Sequence, residues 1–266
     1  MERPAAVDRT GPADDRRPFR AVLFDLDGVL ETDDGIEDGA PGLLRELDAQ
    51  AISWAIITND IRDSAYDRNR LFSRAGTRLE PNLWLTPYDA LKAALANASC
   101  RYPRFFGAPP PASHAWLRTP PALADSIILG DVRGAQDEFE TCSALASEGV
   151  PIFALQKNPH LMAGGQQVVD VGGYVETWEQ RLGRKAQIIG KPAPSLYTLA
   201  LHRLAAAPGE AVMISDSFHN DLCGALRVGI AGILVSKYAV TDEIVAARRS
   251  CLVAADLAMV RSLLFP

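Results

Sequence analysis

Four short apolar runs in this chain each stop abruptly at residues with reactive side chains, and no other feature limits the fold as tightly. Residues 21–24 lead into Asp25-Leu26-Asp27-Gly28, and 55–57 into Thr58-Asn59-Asp60. Residues 188–189 lead into Gly190-Lys191-Pro192, and 211–214 into Ser215-Asp216, with Asp221 five residues further on. Runs this short, rich in Val and Ile and without polar alternation, predict strands covered on both faces, as in a parallel α/β sheet. Ligands of such sheets bind beyond the carboxyl ends of the strands. Carboxylates, a hydroxyl, an amide and a lysine therefore converge on one crevice.

Between these runs the pattern predicts helices over 41–50, 62–75 and 88–98, a strand over 83–86, and an acidic turn at 33–38. Prolines then crowd into 107–112 and 119–121 and break regular structure. A second strand–helix pattern follows, with strands at 126–129 and 151–155 and helices at 135–147 and 174–182. The last third returns to alternation, with helices over 194–206, 220–228 and 256–264 and a strand over 230–235. The expected fold is α/β: a Rossmann-like parallel-sheet core with an inserted α/β cap domain. Residues 1–18 read as a disordered tail, 19–99 and 185–266 as a discontinuous core, and 100–184 as the cap.

Charge and composition exclude several classes. A net charge of -6 without a basic, aromatic-studded stripe argues against a nucleic-acid polymer as partner. No apolar run approaches the ~20 residues of a membrane span, and the N-terminus lacks a signal peptide's apolar stretch. The four cysteines form no CxxC pair and read as reduced core residues of a cytoplasmic protein. His114, His160, His202 and His219 lack zinc-ligand spacing and read as surface or packing residues, while Trp54, Trp84, Trp116 and Trp178 read as core or interface.

In order and content the four motifs resemble the haloacid dehalogenase superfamily, most of whose members are magnesium-dependent phosphatases. Asp25-Leu26-Asp27-Gly28-Val29-Leu30 looks like its first motif, Thr58 its second, Lys191 in Gly-Lys-Pro-Ala-Pro its third, and Ser215-Asp216-Ser217 with Asp221 its fourth. A cap between the second and third motifs, with Ala-Leu-Gln-Lys-Asn-Pro-His at 154–160, is similar to the class IIA nucleotide and p-nitrophenyl phosphatase subgroup. The resemblance implies a phosphomonoester hydrolase. Asp25 would be the nucleophile, forming an aspartyl-phosphate, and Asp27 the general acid and base if the chain turns sharply at Gly28. A calcium loop needs more oxygen ligands at alternating positions, and Gly28 comes too early for one.

Acidic groups around a dianionic phosphate require a cation, and hard oxygen ligands beside a phosphate favour magnesium. By the resemblance, the Asp25 side chain, the Asp27 carbonyl and Asp216 hold Mg2+, while Asp221 ligates through water or orients Lys191. The bland alternative for Asp216 is a helix N-cap, and for Thr58 a hydroxyl capping the next helix. Thr58, Asn59 and Lys191 are expected to bind the phosphoryl oxygens. Gly190-Lys191 is no P-loop, since Pro192 replaces the required Ser or Thr. Ser215 stands where the family usually has glycine and is expected to crowd the metal loop, and Asp60 adds negative charge at the phosphate entry. Lys157, Asn158 and His160 in the cap are candidates for reading the leaving group.

The leading expectation is a phosphatase for a small phosphorylated metabolite of the sugar phosphate or nucleotide class, with a mobile cap shaping specificity. Dimerisation through caps, common in similar proteins, makes a homodimer the candidate assembly. True haloacid dehalogenation fits poorly, because it neither uses an acid at Asp27 nor needs magnesium. A phosphotransferase or phosphomutase shares the intermediate but requires a cap that excludes water. A non-catalytic binding module that kept the fold is the alternative from another class.

Overall fold

Six parallel strands form the sheet that carries most of the reactive residues, in the order β14-β13-β12-β1-β4-β5. They are β1 (Ala21–Phe24), β4 (Ser53–Ile57), β5 (Trp84–Leu85), β12 (Ala211–Ser215), β13 (Ala231–Val235) and β14 (Leu252–Ala254). In this computed structural model the described residues are 19–32, 35–61, 72, 73, 76, 83–163, 166–236 and 250–266. The expected tail 1–18, residues 33 and 34 of the acidic turn, and most of the expected helix 62–75 lie outside them.

Side-chain alternation along β1 shows why its apolar run is unbroken. Ala21 and Leu23 enter one hydrophobic cluster, with Tyr88, Leu91, Leu196 and Tyr197. Val22 and Phe24 enter another, with Leu44, Leu47 and Val260. Helices Ala40–Ala49 and Leu257–Leu264 thus cover one face, and helices Pro87–Asn97 and Pro194–Leu204 the other. A strand buried on both faces has no use for polar alternation.

A second parallel sheet, in the order β11-β8-β7-β6, comprises β6 (Pro103–Phe106), β7 (Ser126–Leu129), β8 (Ile152–Ala154) and β11 (Gln187–Ile188). One of its faces packs on helices Phe139–Ser147 and Val171–Leu182 through Phe106, Ile127, Leu129, Val175 and Trp178. Its other face sets Phe105, Ile128 and Phe153 into the same cluster as Leu91 and Leu95 of the first unit, so the two sheets share one continuous apolar layer. A short antiparallel hairpin, β9 (His160–Ala163) with β10 (Gln166–Val169), projects from this unit, and β2 (Glu31–Thr32) pairs with β3 (Gly35–Ile36).

Two readings change. The apolar run before Lys191 is not a strand of the first sheet: β11 pairs in parallel with β8, and Gln187 lies opposite Phe153. The second sheet therefore reaches past residue 184, and Lys191 leaves from its edge. A two-residue strand takes its sheet from long-range pairing, which local pattern does not encode. Trp54, Trp84 and Trp178 are buried as expected, whereas Trp116 is 39% exposed, with Lys92 Nζ 5.8 Å from its ring centroid.

Candidate active site

The turn after β1 is built from buried leucines and one glycine. Asp25 N donates to Ile214 O at 2.8 Å, and Leu26 N then folds back to donate to Asp25 Oδ1 at 2.8 Å. Leu26, Val29 and Leu30 are fully buried and hold the loop down, while Leu30 N and Glu31 N donate to Leu26 O at 2.9 and 3.0 Å. Asp27 is left exposed. Gly28 lies at φ +79°, and a Cβ there would overlap the Asp216 carboxylate. The absence of a side chain thus brings the first and fourth motifs together.

Under this turn runs a buried chain of charged and polar groups. Lys191 Nζ donates to Asp25 Oδ1 at 2.6 Å and to Asp221 Oδ2 at 3.0 Å. Ser215 Oγ donates to the same Asp221 oxygen at 2.5 Å and accepts from Ser217 N at 3.0 Å. Tyr197 OH donates to the Asp221 carbonyl at 2.7 Å. Burial and then the Asp221 charge push the Asp25 carboxyl well above the usual carboxylate range; Lys191 opposes this and Asp216 adds to it. Burial alone would lower the Lys191 pKa, but Asp221 and Asp25 outweigh it and hold the ammonium charged.

Three acidic side chains and one lysine leave this cluster short of positive charge. Among the described residues no group of three or more His, Cys, Asp or Glu side chains forms a metal-binding cluster. The hard-oxygen set at the Gly28 turn is smaller: the Asp25 carboxylate, the Asp27 carbonyl and the Asp216 carboxylate, which interacts electrostatically with Asp25. Two carboxylates and a carbonyl suit a divalent cation that keeps several waters. Asp216 is not the helix cap: Ser217 takes that place, its side chain accepting from Asn220 N at 3.3 Å at the start of the π-turn Phe218–Leu222.

Thr58 and Asn59 follow β4 and are 1% and 8% exposed. Thr58 Oγ1 accepts from Asp60 N at 3.0 Å, so it caps its own turn and keeps its O–H as a donor. Asn59 pairs with the Lys191 backbone in both directions: Lys191 N donates to Oδ1 at 2.8 Å, and Nδ2 donates to Lys191 O at 2.8 Å. The same Nδ2 donates to Asn158 Oδ1 at 3.3 Å. Of the side-chain donors expected to face phosphate, the Asn59 amide and the Lys191 ammonium are therefore engaged within the protein.

The three residues expected to read the leaving group part company. Asn158 meets Asn59, and Lys157 Nζ is bound to Glu179 Oε2 at 2.7 Å. His160 is exposed at the start of β9, paired with Val169. Sequence reasoning missed Glu179, Gln156 and Tyr197. Glu179 is a buried carboxylate that also accepts from Lys185 Nζ and Ala186 N, each at 2.9 Å. Gln156 Nε2 donates to Asp170 Oδ2 at 3.3 Å, and its Oε1 accepts from Asn158 N at 2.7 Å. An acidic residue on the apolar side of a helix was the one available signal, and it pointed at Glu179 alone.

Comparison with known proteins places these motifs in context. A haloacid dehalogenase-like hydrolase profile matches residues 22–108, and a second, HAD-hydrolase-like profile matches 188–260. Asp25 and Thr58 fall in the first match, and Lys191, Asp216 and Asp221 in the second. Haloacid dehalogenase-like hydrolase domain-containing protein 2 of Mus musculus is 27% identical over 239 residues, covering 86% of this chain and 89% of its own. Chronophin of Mus musculus is 27% identical over 242 residues, covering 81% and 80%. Among solved structures, NagD from E. coli K-12 has a TM-score of 0.79 at 21% identity, covering 90% of this chain and 97% of its own. A 4-nitrophenylphosphatase from Thermotoga maritima has a TM-score of 0.81 at 19% identity, covering 92% and 97%.

Proposed function

We propose that the chain, matched by two haloacid dehalogenase-like hydrolase profiles, is a phosphatase that cleaves a small phosphorylated metabolite, of the sugar phosphate or nucleotide class, through an aspartyl-phosphate at Asp25. The observation that carries this reading is the buried Asp25–Lys191–Asp221 chain, with Asp27 exposed two residues from Asp25. A relative of similar length named as a phospholysine phosphohistidine inorganic pyrophosphate phosphatase supports phosphatase activity on a small phosphorylated substrate.

Asp25 Oδ1 is held by Leu26 N–H and the Lys191 ammonium, which leaves Oδ2 as the attacking atom. Oδ2 forms a bond to phosphorus while the ester P–O bond breaks, and Asp27 protonates the departing oxygen. Asp27 then takes a proton from water as that water attacks the phosphoryl group, which releases phosphate and regenerates the Asp25 carboxylate. Thr58 O–H and the Lys191 ammonium face the charge that gathers on the phosphoryl oxygens. Asp221 orients Lys191. Magnesium, held by the Asp25 carboxylate, the Asp27 carbonyl and Asp216, would supply the positive charge that lets Asp25 ionise beside Asp216 and a dianionic substrate. Four free thiols suit a reducing compartment, so the proposed setting is the cytoplasm.

The test is phosphate release from a panel of phosphomonoesters, with and without magnesium, by wild type, Asp25→Asn and Asp27→Asn. Magnesium-dependent release is expected from wild type and none above background from Asp25→Asn. Asp27→Asn is expected to accumulate hydroxylamine-labile protein-bound phosphate, because the water attack of the second step lacks its base. Folded wild type that releases nothing from any ester with a divalent cation present would sink the proposal.

A further inference from the structure

We infer that Asn59 is a positioning residue that joins the leaving-group loop at Asn158 to Lys191, so that the second sheet sets phosphate affinity through this amide. The inference rests on the phosphatase reading above and concerns how its site is held. Three loops meet at one side chain: 58–60 after β4, 155–159 after β8 and 189–192 after β11. Asn59 fixes the Lys191 backbone at both its N–H and its carbonyl, at 2.8 Å each, and reaches Asn158 Oδ1 at 3.3 Å.

Gly190 supplies an independent sign that the joint is built in. A Cβ on Gly190 would overlap Asn59 Oδ1 and stand 2.6 Å from Leu155 O and 3.1 Å from Pro87 Cγ. The backbone before Lys191 is therefore pressed against Asn59 as closely as a glycine permits. The other end is also tied down, because Gln156 Oε1 accepts from Asn158 N at 2.7 Å. Lys191 in turn carries the ammonium on Asp25 Oδ1. A shift of Asn158 has a short route to the phosphate lysine: one amide and one backbone unit.

A residue that only touched the leaving group would affect esters and leave inorganic phosphate alone. A residue acting through Asn59 and Lys191 changes phosphate itself. The experiment is calorimetric titration of inorganic phosphate into magnesium-loaded wild type, Asn158→Ala, Asn158→Asp, Asn59→Ala and the Asn59→Ala/Asn158→Ala double variant, each checked by melting. Loss of one hydrogen bond predicts phosphate binding weakened about threefold to tenfold in Asn158→Ala. Asn158→Asp keeps an oxygen opposite Asn59 Nδ2 and, with its added negative charge screened by salt, is expected to bind phosphate more tightly than Asn158→Ala. In the Asn59→Ala background, Asn158→Ala is expected to have no further effect.

Unchanged phosphate binding in Asn158→Ala, alongside a raised KM for larger esters, would overturn the inference and make Asn158 a direct contact. Additive losses in the double variant would overturn it as well. Wild type that neither binds phosphate nor turns over an ester would overturn the phosphatase reading and this inference together, whereas the first two outcomes leave that reading standing.

Discussion

Replacing Glu179 by glutamine keeps the side chain's shape and removes a charge at the base of the Asn158 loop. The Glu179 side chain is 1% exposed, with Lys157 Nζ at 2.7 Å and Lys185 Nζ at 2.9 Å from Oε2. Ala186 N donates to Oε1 at 2.9 Å. The two lysines differ: the Lys157 side chain is 16% exposed and that of Lys185 75%. Lys185 can return to water, and its pair is worth at most about 1 kcal/mol. Lys157 is left with a buried charge and no counter-charge, the situation that costs about 3–5 kcal/mol. Glutamine keeps an oxygen for one donor, so the expected loss lies near the lower end, about 3 kcal/mol. For a chain of this size that lowers the midpoint by about 6–12 °C, read by circular dichroism melting.

The pH dependence gives a second handle on the same charge. Burial by itself would raise the Glu179 pKa, but the Lys157 ammonium, the Ala186 N–H and Lys185 outweigh it and hold the carboxyl below its ordinary value. A pKa depressed in the folded state contributes stability that is complete above the unfolded value and lost as pH falls through the folded one. The gap between wild type and Glu179→Gln is therefore widest near neutrality and closes in acid, where wild type becomes neutral too. A neutral-pH gap below about 1 kcal/mol, or one that stays constant into acid, would refute the reasoning.

Two further substitutions test the turn and the buried chain. Gly28→Ala places a side chain at φ +79° against Asp216 and costs about 1–2 kcal/mol in backbone strain alone. It is expected to raise the magnesium concentration for half-maximal activity at least tenfold, measured by metal titration, with only a few degrees lost from the melting midpoint. Ser215→Ala removes the 2.5 Å bond to Asp221 and the acceptor for Ser217 N, a loss of about 1–3 kcal/mol. Steady-state kinetics should show kcat reduced by about tenfold and restored by Ser215→Thr; a kcat within twofold of wild type would show that Lys191 alone holds Asp221.

Residues 21–24, 53–57 and 211–215 were legible as strands because each is buried on both faces, and such a strand writes its burial directly into its composition. The turn at Gly28 was legible for a related reason, since only glycine adopts that φ without strain. Partnership was harder to read. Lys157 looked like a substrate ligand because nothing local announces Glu179, which is 22 residues away in sequence. Asn59 looked like a phosphate donor because its pairing with Lys191 spans 132 residues. Ser215, expected to crowd the metal loop, is fully buried and bonded to Asp221. These are tertiary facts, fixed by which loops the two sheets bring together.

The membership of β11 in the second sheet gives Lys191 a particular place in the electrostatics. Asp25, Asp216 and Asp221 are delivered by the first sheet and its loops, and the lysine that faces two of them is delivered by the edge strand of the other. Like charges held this close in a buried site raise one another's pKa values, and Asp25 is already displaced in that direction with the lysine present. Moving the second sheet away would withdraw that positive charge and drive Asp25 further toward its neutral, non-nucleophilic form. Phe105, Ile128 and Phe153, packed with Leu91 and Leu95, resist such a movement through a shared apolar layer. Movement of the expected cap that leaves Lys191 with the nucleophile therefore has to occur at the hairpin β9–β10, outside β11 and the joint from Asn158 through Asn59 to Lys191.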